Sequence, residues 1–215
     1  LRKHIKVEPP LFYYACDRLG MAVFQDMVNN GDYRYLRDTV LPTLGFQTRR
    51  SDKQMHPDPA ARAAFLAGMG ATVAALKGHP CVVYWTIFNE GWGQFDATAA
   101  YQKLRALDQS RFIDSTSGWF RGGETDVDSR HVYFGPWRLK AGAKPLVLTE
   151  FGGLTLAMEG HLQCPGRSYG YGACKSPEEL ERRVLALYEQ QVLPLAEKGL
   201  CAAIYTQLSD VEEEV

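Results

Sequence analysis

The stretch "YWTIFNEGWG" at residues 84–93 opens as a buried strand and ends in a carboxylate set among small and aromatic residues. An apolar run of Tyr84, Trp85, Ile87 and Phe88 delivers Asn89 and Glu90 into a glycine turn. A buried carboxylate without a partner is costly, so Glu90 must stand at an opening or face a partner. A second stretch closes the same way: "PLVLTE" at 145–150 ends on Glu150 and runs into "FGG".

Working outward, short apolar runs alternate with amphipathic stretches, the rhythm of a parallel α/β protein. The candidate strands are "LRKHI" (1–5), "MAVFQDM" (21–27), "CVVYWTIFN" (81–89), "RFIDSTS" (111–117), "SRHVYFG" (129–135), "PLVLTEF" (145–151) and "CAAIYTQLS" (201–209). Their unbroken apolar character fits strands covered on both faces. Between them, Asp58-Pro59 supplies an N-cap and a first-turn proline, and Phe65, Met69, Val73 and Leu76 keep one face apolar until "GHP". Ser176, Pro177 and Glu179 form a capping box ahead of Leu180, Val184 and Leu187, which are expected to form a buried stripe. With no internal repeat and no low-complexity linker, the chain reads as one domain. Seven strands are one short of an eight-stranded (β/α) barrel, so the expected fold is a TIM barrel lacking its first strand. The rival, an open doubly wound sheet, would carry a G-x-G-x-x-G turn, and neither "GGE" (122–124) nor "FGG" (151–153) is one.

Composition narrows the function. The 215 residues hold 24 Lys plus Arg against 25 Asp plus Glu, a net charge of −1, with no basic stripe for nucleic acid. No apolar stretch reaches the roughly 20 residues of a membrane span. The aromatic content of 12% can line sugar or base sites as well as fill a core. Five cysteines show no metal-like spacing, and no metal or other cofactor is expected. Cys16, Cys81 and Cys201 fall in or beside apolar runs and read as buried free thiols, while Cys164 and Cys174 flank "CPGRSYGYGAC" and could approach each other. The chain starts at "LRKHIKVEPP" without a signal region and reads as an excised piece, which leaves the compartment open; a bacterial cytoplasm or periplasm is the expectation.

In a parallel barrel all strand C-termini lie on one face, where the loops build the site. Glu90 and Glu150 would then sit on the fourth and seventh strands, and across a narrow mouth two carboxyls can approach roughly 5 Å, the spacing of retaining glycosidases. The proton donor must be neutral before reaction, helped by a nearby negative charge and an apolar wall. Glu90, near Trp92 and Phe95, suits that role, and Glu150 would stay ionised to attack the anomeric carbon. Asn89 can offer its amide to a neighbouring sugar hydroxyl. The plain alternative makes each Glu a helix N-terminal residue or an ion-pair partner.

As a set, "YWTIFNEGWG", "PLVLTEFGG", "LRKHIKVEPPLFYYACDRLGMAVFQDM" and "IYTQLSDVEEE" resemble the catalytic domain of glycoside hydrolase family 2, the family of β-galactosidases, β-glucuronidases and β-mannosidases. The resemblance runs from the first residue to the last and implies a retaining hydrolase of terminal β-linked sugars, with Glu90 matching the acid/base and Glu150 the nucleophile. His4 matches a histidine near the sugar subsite. The family's arginine three residues earlier would fall on Leu1, so that role is not carried over to Arg2. His131 and Tyr133 match a polar residue and a tyrosine close to the nucleophile, and a phenol there could hold its carboxylate in line. Tyr205 falls where many members have a tryptophan under the sugar ring. Gln25 and Asp26 end a strand at a polar position of the family, and Trp92 and Trp119 either line the cleft or plug it.

The resemblance also implies partners. Family members carry a jelly-roll domain and an immunoglobulin-like sandwich before the barrel, so the expected partners are a carbohydrate substrate and those N-terminal domains, with neither nucleic acid nor membrane. Alone, the 215-residue piece is expected to be poorly active. A non-catalytic carbohydrate-binding or scaffold fragment, and a related barrel glycosidase acting within polysaccharides, are the competing readings.

Overall fold

The computed structural model describes residues 1–29, 31, 34–44, 56–211 and 213–215. The chain divides into two compact units, Leu1–Ser129 and Arg130–Val215.

In the first unit, strands β1 (Arg2–Lys3), β2 (Val23–Asp26), β3 (Val82–Asn89) and β4 (Phe112–Ser117) form a sheet in that order. All its pairings are parallel, so each of the three connections is a crossover, and each carries a helix. Helix α1 (Pro10–Leu19) stops at Gly20, whose φ of +66° is the left-handed turn that ends helices. Helix α2 (Pro59–Leu76) starts as its sequence signals: the Asp58 side chain accepts from the Ala60 N–H at 2.9 Å, with proline next. Its face of Phe65, Met69, Val73 and Leu76 is buried against the apolar side chains of β3. Each such burial contributes about 1.5–3 kcal/mol. At 18 residues and a mean hydropathy of 1.3, α2 is the one described helix long and apolar enough to cross a membrane; its role in this core accounts for that composition. Helix α3 (Ala97–Leu107) follows β3, with Ala100 and Leu104 inward.

The second sheet has the order β5 (Asp128–Val132), β6 (Leu146–Gly152), β9 (Leu200–Thr206), with β6 and β9 parallel; β5 runs across the boundary between the units. Two short strands, β7 (Leu154–Thr155) and β8 (Gly172–Ala173), pair in parallel just beyond β6. Helix α4 (Pro177–Leu187) begins with Ser176 accepting from the Glu179 N–H at 3.3 Å. The Glu179 carboxylate reaches back to the N–H of Lys175, at 2.9 Å, one residue earlier than the expected box.

Two expectations need correction. The stripe Leu180, Val184 and Leu187 is only half-buried, because helical spacing fixes which face is apolar and not how thick a layer covers it. Cys201 is exposed, and β9 as a whole is half-covered; an apolar run marks a strand but does not set the depth of its packing. Cys164 and Cys174 are both free thiols, and the Cys174 sulfur lies 3.5 Å from Nη1 of Arg183.

Candidate active site

In the first unit the site is built where β1, β2 and β3 end. Asp26, 1% exposed at its side chain, receives two bonds from Arg2: Nε to Oδ1 at 3.0 Å and Nη2 to Oδ2 at 2.8 Å. The same Nη2 reaches Oδ1 of Asn89 at 2.8 Å. His4, half exposed, places Nδ1 3.4 Å from Oδ2 of Asp26. Burial alone would raise the Asp26 carboxyl, but the Arg2 charge and the His4 contact outweigh it and hold it at about 2. Asp26 and Asn89 therefore converge on Arg2, the residue that sequence reasoning set aside, and His4 joins them through Asp26. The signal was strand alternation: residues two apart share a face, so Arg2 points where His4 points.

Gln25 belongs to the scaffold. It is fully buried, accepts from the Tyr13 hydroxyl at 2.6 Å, and donates to the carbonyls of Lys6 and Asp26 at 2.8 and 2.7 Å.

Beyond Asn89 the chain turns sharply. Glu90 has φ +52° and Gly91 φ +73°, and the Glu90 N–H donates to the Ser117 carbonyl at 2.9 Å. A left-handed glutamate costs on the order of 1–3 kcal/mol and persists only where the surroundings enforce it. Here the strand pairing on one side and the Trp92 N–H to Asn89 carbonyl bond, 3.0 Å, on the other enforce it. The Trp92 indole donates to the Gly31 carbonyl at 3.0 Å, while Phe95 sinks into the core against Phe65 and Phe88. Trp119 is buried, 8% exposed, as a plug would be. Below the strand ends, Asp114 is buried between the hydroxyls of Ser129 (3.0 Å) and Tyr84 (3.1 Å), and burial pushes its carboxyl up.

In the second unit Glu150 stands near the end of β6, its side chain 12% exposed. The Tyr133 hydroxyl donates to its Oε2, and Nδ1 of the buried His131 lies 3.3 Å from that same oxygen. Two polar groups on one oxygen fix the rotation of the carboxyl, which is what an in-line nucleophile requires. Tyr205, on β9, does not join this group. Its ring meets Phe151 edge-on at 5.5 Å and lies on the backbone of Gly152, where a Cβ would approach Cε2 to 2.4 Å. Burial raises its phenol above the ordinary range.

The family model described as "Glycosyl hydrolases family 2, TIM barrel domain" matches residues 7–193. A β-galactosidase of Klebsiella pneumoniae is 28% identical over 120 residues, 55% of this chain and 10% of that protein. Among solved structures, a family 2 β-galacturonidase from Eisenbergiella tayi bound to galacturonate superposes with a TM-score of 0.60 at 17% identity, covering 96% of this chain and 36% of that one. A β-glucuronidase of Bacteroides uniformis, covalently bound to cyclophellitol-6-carboxylate aziridine, gives 0.59 at 13% identity, covering 99% of this chain and 26% of that one. The chain thus covers about a tenth of the curated relative's length and about a quarter to a third of these solved chains. The parallel α/β fold is that of part of a TIM barrel, as the sequence indicated.

Proposed function

Because the chain belongs to glycosyl hydrolase family 2, within its TIM barrel domain, we propose that residues 1–215 are part of the catalytic barrel of a larger, multidomain retaining β-glycosidase. Glu150 attacks the anomeric carbon and forms a covalent glycosyl-enzyme intermediate. Glu90 protonates the departing oxygen and then activates the water that releases the sugar. The observation that carries this reading is the Glu150 carboxylate gripped at one oxygen by Tyr133 and approached there by His131. A carboxylate fixed in this way is already aligned for attack.

The sugar contacts follow from the same chemistry. Arg2 holds the Asn89 amide by its oxygen, which leaves the amide donor as the group suited to a sugar hydroxyl. His4 and Trp92 border that subsite, Asp26 fixes Arg2, and Tyr205 offers a ring face. A terminal β-linked galactoside, glucuronide or galacturonide is the substrate class, by likeness to the named relatives. The test is to express the longest polypeptide carrying this chain and follow hydrolysis of the three aryl β-glycosides by proton NMR. The β-anomer as first product supports retention; the α-anomer overturns it.

A further inference from the structure

The segment after β6 leaves the strand end and returns to it. The Gly153 N–H donates to the Thr206 carbonyl at 2.7 Å, the Tyr171 N–H to the Gly153 carbonyl at 2.8 Å, and the Cys174 N–H to the Thr155 carbonyl at 2.7 Å. Residues 156–170 therefore make a closed excursion whose return leg begins at Tyr171 and continues as β8. The Tyr171 ring stacks flat on that of Tyr133, with centroids 3.7 Å and planes 9° apart. Phe134 and Tyr169 meet Tyr171 edge-on at 5.6 and 5.7 Å. Two glycines make the approach possible. A Cβ on Gly153 would lie 2.4 Å from Cδ2 of Tyr171, and one on Gly170 would lie 2.0 Å from Cγ2 of Thr155.

We propose that Tyr171 is a positioning residue for the reaction: its ring holds the Tyr133 ring in the orientation that puts the phenol on Glu150. The inference rests on the reading of Glu150 as nucleophile. A phenol on two rotatable bonds is free to swing, and a flat stack on one face removes that freedom. A reacting group must be held to about half an ångström by the residues around it, and the stack from the loop that carries Tyr171 adds to the hold on Tyr133. The flanking edge contacts from Phe134 and Tyr169 hold Tyr171 in turn. The glycine-rich composition of "SYGYGA" (168–173) is then explained by the closeness of this packing.

The test compares Tyr171→Phe, Tyr171→Ala, Tyr133→Phe and the Tyr171→Ala/Tyr133→Phe double variant in the longest polypeptide carrying the chain. Two quantities are read: the pH profile of kcat/KM on an aryl β-glycoside, and the Glu150 carboxyl titration by carbon NMR. Tyr171→Phe keeps the stack and should stay within about twofold of the parent. Tyr171→Ala should lose about tenfold in kcat/KM and move the acid limb, and the Glu150 titration, to higher pH, because a carboxylate that loses a donor is protonated more readily. The double variant should be no worse than Tyr133→Phe, since the two act through one contact. An unmoved acid limb and titration in Tyr171→Ala, or losses that add fully in the double variant, overturn the proposal. Full activity in Glu150→Gln would overturn the nucleophile reading instead, and the NMR titration still decides the Tyr171 clamp without turnover.

Discussion

Nη2 of Arg2 lies 2.8 Å from Oδ1 of Asn89 while the same nitrogen donates to Oδ2 of Asp26, also at 2.8 Å. Guanidinium groups only donate, so the atom of Asn89 facing Arg2 is its oxygen and the amide NH2 points elsewhere. A residue on the short first strand thereby sets the orientation of a residue at the end of the third. Arg2→Met removes the partner of a carboxylate that is 1% exposed, and breaking a buried pair from one side costs about 3–5 kcal/mol. Thermal denaturation should show that loss in Arg2→Met. Arg2→Lys should recover only part of it, because lysine cannot make the two-pronged contact. An Arg2→Met variant with an unchanged melting temperature would contradict the assignment.

Acid should act through the same network. The Asp26 carboxyl is held at about 2, below its ordinary value of 3.8. A folded value below the unfolded one means stability that is present above about pH 4 and lost as pH falls towards 2. Asp114 runs the other way: burial raises it, so its protonation on acidification favours the folded state. Asp114→Asn should therefore lose more stability between pH 7 and pH 4 than the parent does, measured by urea titration at each pH. A smaller loss in that variant would refute the sign.

Gly153 and Gly135 offer a matched pair. Both have left-handed backbones, φ +63° and +70°, so alanine at either carries a conformational penalty of about 1–2 kcal/mol. Only Gly153 faces an obstacle, the Tyr171 ring at 2.4 Å, while nothing lies within 4 Å at Gly135. Gly153→Ala should be the more destabilising by about 1–3 kcal/mol in denaturant unfolding. Equal costs would mean that the loop is not packed as described.

How much of this was legible in the sequence differs from feature to feature. The strand ends at Glu90 and Glu150 were, because an apolar run that stops on a polar residue before glycine has few structural uses. Tyr133 beside Glu150 was also legible, through the family motif. Arg2 was not, because the motif placed the arginine one residue earlier, whereas the period of two along the strand pairs Arg2 with His4. Tyr171 was invisible for a different reason. The loop "CPGRSYGYGAC" drew attention through its cysteines, yet its packing depends on Gly153 and Thr206, distant in sequence and close in space. The depth of cover over α4 and β9 was equally out of reach, since periodicity marks a face and not what lies on it.

The proposed acid/base role of Glu90 has its own signature. Glu90→Ala should lose most activity on substrates with poor leaving groups, which need protonation, and keep more on activated aryl glycosides. Added azide should restore turnover on the activated substrates and give the β-glycosyl azide. A uniform loss across leaving groups, without azide rescue, would assign the proton transfer elsewhere.

The central claim is that Glu150 becomes covalently bonded to the sugar. The direct measurement is to incubate the longest polypeptide carrying this chain with activated 2-deoxy-2-fluoro β-glycosides of galactose, glucuronate and galacturonate, then digest it and locate the label by mass spectrometry. The account predicts one sugar on the peptide containing "LVLTEFGG", at Glu150, and no label in Glu150→Gln. A label on Glu90 or any other residue, or inactivation that leaves Glu150 unmodified, would contradict it.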